Sequence, residues 1–134
     1  MSVKVIADGV VVGRFLNEFN RKGIEIMLRH TLEQTGLPFW TYSQYTQFRE
    51  MPPLSMGSEV EMGNEIGKTA NTGKMGRRIC RDALHFAVFY SKHPEWSNDG
   101  VAVIPRDGYF MDPNAFYRLD PPYDSLSLAK LPSN

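Results

Sequence analysis

The sequence predicts one α+β domain, with a small antiparallel sheet packed against one long central helix and a second, N-terminal helix. Three observations predict it. Short β-forming runs punctuated by turn residues lie near both ends of the chain, at 3–12 and 100–111. Apolar residues recur at three- and four-residue spacing over 13–35 and again over 73–92. The chain has 134 residues, 42% of them hydrophobic, enough for one core without metal or disulfide support.

Taken in order, Val3–Ala7 and Val10–Val12 flank Asp8-Gly9, a pairing of turn residues that signals a β-hairpin or one bent strand. From Gly13 to Thr35, the spacing of Leu16, Phe19, Ile24, Met27, Leu28 and Leu32 predicts helix, weakened at Gly23 and stopped by Gly36 and Pro38. Residues 37–49 mix aromatics with threonine, and neither alternating face is cleanly apolar, so they read as an edge strand or an ordered aromatic loop. Pro52-Pro53 ends that segment.

Residues 54–72, with Gly57, Gly63 and Gly67 spaced among glutamates, read as a mobile loop in which 58–62 can form a short strand. Residues 73–92 carry an apolar stripe of Met75, Ile79, Ala83, Phe86, Ala87 and Tyr90, widened by Cys80, Leu84 and Val88. A stripe that wide predicts a central helix covered on more than one side. The C-terminal third reads as strands at 100–104 and 109–111 joined in a hairpin by Pro105–Gly108, then a helical turn at 112–117 and an irregular tail over 121–134.

Fifteen basic and fifteen acidic residues cancel, yet they are unevenly placed. Residues 50–65 hold four glutamates and no base, whereas 68–92 hold six bases against Asp82. On the predicted helix Lys74, Arg77, Arg78, Arg81 and His85 share one face, beside backbone N–H groups that favour an anion. That face is the candidate anion or partner site, set against the plainer reading of a solvated basic face. The segment 67–74 is not a Walker A loop, because Met75 follows Gly73-Lys74. Phe39, Trp40, Tyr42 and Tyr45 form a candidate aromatic interface, set against membership of the core.

Three histidines without metal-ligand spacing, and a single cysteine, predict no metal site and no cofactor. Asp82 and His85 are one helical turn apart, the only acid–base pairing weighed for catalysis. A lone Cys80, no signal-peptide core and no apolar run near ~20 residues predict a soluble, cytoplasmic chain without membrane contact. The function expected is that of a small non-enzymatic binding protein that regulates, inhibits or assembles with a macromolecular partner, a protein or a second copy. Nucleic-acid or phosphate-ligand binding through the basic face is the alternative, followed by a small enzyme acting on an anionic substrate.

Overall fold

A computed structural model describes residues 2–16, 23–68 and 86–111, and it is built from antiparallel sheet. The strands are β1 (Ser2–Lys4), β2 (Gly9–Phe15), β3 (Ile24–His30), β4 (Trp40–Phe48), β5 (Glu59–Val60), β6 (Glu65–Lys68), β7 (Phe86–Ser91), β8 (Trp96–Asn98), β9 (Val103–Pro105) and β10 (Tyr109–Met111). The main sheet has six strands in the order β10-β7-β4-β3-β2-β5. Two ribbons, β1–β6 and β8–β9, complete the strands. Among the described residues the only helix is α1 (Leu32–Thr35), a single turn closed by a capping box between Thr31 and Gln34 and ended by Gly36 in the left-handed region.

This overturns the α+β expectation. Among the described residues the expected N-terminal helix is reduced to the single turn α1: 9–15 and 24–30 are paired strands, and 17–22 lie outside the described residues. In β3 the consecutive residues Glu25, Ile26, Met27 and Leu28 are all buried, so a strand covered on both faces reproduces three- and four-residue apolar spacing by chance. The central helix fails the same way where it can be seen. Residues 86–91 form β7, bonded between β4 and β10, and the stripe that looked too wide for an ordinary helix is, there, a strand buried on both sides. The rest of the expected helix, 73–85, lies outside the described residues.

Further expectations change. Asp8-Gly9 makes no hairpin, since β1 pairs with β6 and β2 pairs with β3 and β5. Pro105–Gly108 joins no hairpin either: β9 returns to β8 and β10 joins β7. Residues 40–48 are a central strand rather than an edge, with β3 on one side and β7 on the other. Within the segment expected to be a loop, 59–60 form β5, inside the short strand anticipated over 58–62, and 65–68 form β6. The helical turn at 112–117 and the tail 121–134 lie outside the described residues.

The registers stack residues in rows across the sheet. Val11, Leu28, Ser43, Val88 and Met111 form one row on one face. Glu59, Val10, Arg29, Tyr42, Phe89 and Phe110 form the next row, on the opposite face. The first face packs under Val3, Val5 and Ile66 of the N-terminal region and β1–β6 ribbon, with Ile26, Leu28, Tyr45 and Phe48 beneath them. Leu37, Phe39 and Ala7 cover its other half. On the second face Val103 of the β8–β9 ribbon meets Val12, Phe15, Met27, Tyr42 and Phe89.

Polar groups inside this core are matched to each other. His30 has no solvent exposure, its Nδ1 lies 2.6 Å from the Asp8 carbonyl oxygen, and its Nε2 lies 2.7 Å from Ser43 Oγ. A carbonyl only accepts, so Nδ1 carries the proton and the Ser43 hydroxyl donates to Nε2. Gly9 makes room for this bridge: a Cβ there would stand 2.6 Å from His30 Nδ1 and 2.8 Å from the Arg29 carbonyl oxygen.

Candidate functional site

The β8–β9 ribbon is a small lobe standing on the second face of the sheet, and its construction begins with its turn. Asp99 Oδ1 accepts the backbone N–H groups of Val101 and Ala102, each at 2.8 Å, and Asn98 Oδ1 accepts that of Gly100 at 2.9 Å. Those bonds hold the Asp99 carboxyl below its ordinary value, through the Ala102 N–H first. Gly100 takes a φ of 89°, which a side chain would resist.

Three side chains fasten the lobe to the sheet. Asn98 Nδ2 donates to the Val12 carbonyl at 2.9 Å, the Arg29 guanidinium donates to the Pro94 carbonyl, and the Ser91 hydroxyl donates to the Arg106 carbonyl. Arg29 is itself fixed. Its guanidinium carbon lies 4.1 Å from the centre of the Trp40 ring, and Nε–H donates to the Tyr42 hydroxyl at 3.2 Å. Burial pushes the Tyr42 phenol above its ordinary value, with the Arg29 hydrogen bond opposing.

The lobe carries a cleft of about 220 Å³, lined by Glu95, Trp96, Ser97, Ile104, Pro105, Arg106 and Asp107. Trp96 remains 37% exposed beside it. Arg106 Nη1 donates to Glu95 Oε1 at 2.6 Å, and this bond holds the exposed guanidinium above its ordinary value. Below them the Arg106 backbone N–H donates to the Glu95 carbonyl at 3.0 Å, so both residues are set by the chain path as well as by their charges. His93 Nε2 lies 3.5 Å from Asp107 Oδ2. Asp107 has a φ of 47°, uncommon outside glycine, in the turn that carries the chain from the lobe back to the main sheet. A second hollow, about 440 Å³, lies between Arg49–Pro53 and β6, and among the described residues no aromatic side chain lines it.

The residues expected from sequence fall elsewhere. Lys74, Arg77, Arg78, Arg81 and His85 lie outside the described residues. Of the aromatic group, Phe39, Tyr42 and Tyr45 are buried in the core and Trp40 is half-buried against Arg29. Among the described residues no three His, Cys, Asp or Glu side chains are grouped to hold a metal ion. No described helix is long and apolar enough to cross a membrane. The lobe residues escaped sequence reasoning, although a signal was present: Asn98-Asp99-Gly100 between Trp96-Ser97 and Val103-Ile104 is a hairpin signature. No protein-family model matches the chain, and comparison with curated proteins finds no match.

Proposed function

We propose that this chain is a non-enzymatic binding module that regulates, inhibits or assembles with a macromolecular partner, and that it meets the partner with the β8–β9 lobe. The observation that supports this reading is an exposed indole, Trp96, on a lobe whose cleft is also lined by Arg106, Glu95 and Asp107. An aromatic anchor within a polar rim is the usual anatomy of a surface that carries binding energy, with Trp and Arg the residues most enriched there. The lobe is also preorganised. Asn98, Arg29 and Ser91 fasten it to the sheet, so little ordering is left to be done on binding.

A photo-crosslinking residue at Ser97 identifies the partner, and a titration of the purified pair then measures its affinity. Trp96→Ala is expected to weaken binding about 30-fold, a loss of ~2 kcal/mol typical of an anchor. Arg106→Glu should weaken it as well. Unchanged affinity in both variants, with native folding, would overturn the lobe as the interface. If Arg77→Glu with Arg81→Glu abolishes binding instead, the basic segment carries it.

A further inference from the structure

We infer that the partner meets the lobe as an extended antiparallel strand, pairing its backbone with the outer edge of β8. This rests on the lobe being the binding surface. The register sets Trp96 opposite Pro105, Ser97 opposite Ile104 and Asn98 opposite Val103. The flanking bonds give the phase of the ladder: the Arg106 N–H donates to the Glu95 carbonyl at 3.0 Å, and the Asp99 N–H to the Ala102 carbonyl at 3.2 Å. Hydrogen-bonded residues alternate along an antiparallel pair, so Glu95, Ser97 and Asp99 turn their backbone groups toward β9. Trp96 and Asn98 turn theirs the other way. Among the described residues neither has a backbone partner on that side, and all of β8 is exposed.

The two edges of the ribbon differ. On β9 the outward residues are Val103 and Pro105, both buried, and proline has no N–H to give. On β8 the N–H and carbonyl groups of Trp96 and Asn98 offer four bonds to a strand laid beside them. The partner residue opposite Trp96 shares its ribbon face, where the indole is 37% exposed, so an apolar or aromatic side chain there packs on it. The residue opposite Ser97 lies on the other face. Charge disfavours a second copy of this chain as the added strand. Antiparallel self-pairing of Trp96 with Asn98 would set Glu95 of each chain opposite Asp99 of the other, like charge against like. Arg106 offsets only the Glu95 side. A strand with basic residues at those two positions is attracted instead.

The probe is the acetylated and amidated heptapeptide Thr-Lys-Val-Thr-Phe-Lys-Thr, and amide exchange is read by NMR. In the free protein the Trp96 and Asn98 amides should exchange about tenfold faster than that of Ser97, which β9 holds. Equal protection at all three in dilute protein overturns an open edge. Protection that grows with protein concentration alone overturns a peptide strand in favour of a second copy. Saturating peptide, with a dissociation constant near ~1 mM, should slow Trp96 and Asn98 about tenfold and leave the Val103 amide unchanged. An analogue N-methylated at Val and Phe loses the N–H groups that face β8 and should bind about tenfold more weakly. One N-methylated at the central Thr and at the Lys after Phe should bind as the parent does. No saturable protection up to ~20 mM, equal effects of the two methylation patterns, or the reverse order overturns antiparallel pairing. The crosslinked partner separates the two failures. A partner that needs Trp96 yet leaves the Trp96 and Asn98 amides exchanging freely overturns the strand and keeps the lobe. A partner indifferent to Trp96→Ala overturns the lobe itself.

Discussion

His30 lies between the Asp8 carbonyl and the Ser43 hydroxyl, buried and neutral, and burial lowers its pKa to about 4. In the unfolded chain the same imidazole titrates near ~6.5. Between those values the unfolded state takes up a proton that the native state refuses, so stability falls as pH drops through that window. Its contribution is fully present above ~6.5 and is lost toward pH 4, a change of roughly 3 kcal/mol. Urea melts at pH 7 and pH 4.5 should show that difference between wild type and His30→Gln, the variant being weaker at pH 7 but less sensitive to acid. Equal acid sensitivity in the two would remove His30 from the account. The sequence offered His30 as one of three histidines without metal-ligand spacing. Its role follows from Gly9, twenty-one positions away, which alone leaves room for the ring.

The lobe is the element whose attachment is easiest to loosen. It packs on the sheet through Val103 and is tied through Asn98, which bonds both Val12 and Gly100. Asn98→Ala removes both bonds and leaves the Val12 carbonyl without its side-chain donor, an expected loss of about 1–3 kcal/mol. The effect should be local. Amide exchange across 96–105 should quicken more than exchange in β3 and β4, whose ladders do not depend on Asn98. Uniform acceleration across the whole protein would show the lobe and sheet to be one cooperative unit. β4 illustrates why this element-level picture was hard to read from sequence. Its alternation of Thr41, Ser43 and Tyr45 with Trp40, Tyr42 and Gln44 is polar enough for an edge, yet the strand is central because His30 partners Ser43 and Arg29 partners Tyr42.

Across the whole molecule, stability rests on the row Val11, Leu28, Ser43, Val88 and Met111 and on what covers it. Leu28 has no solvent exposure and lies in the main cluster, so Leu28→Ala should cost about 2–5 kcal/mol in a denaturant melt. A loss below ~1 kcal/mol would mean that this face is not the core. The sheet also joins residues far apart in the chain: Tyr45 pairs with Phe86, and Gly9 with Val60. Such pairing has to close long loops before any contact compensates for the lost entropy.

Local sequence was enough to show that this chain could form a core without disulfides and to mark strands at 3–4, 103–104 and 109–111. Those properties are local: they depend on backbone preferences and apolar content within a few residues. That 24–30 and 86–91 are strands, that β9 and β10 part company, and that Trp96, Arg106 and Glu95 line one cleft emerges only when distant segments meet. Hydrophobic periodicity reports how a segment is buried, and burial on both faces of a sheet erases the two-residue alternation that marks a strand. Pairing between strands is settled by side chains dozens of residues apart, such as His30 with Ser43 or Asn98 with Val12, whose meeting no local pattern records.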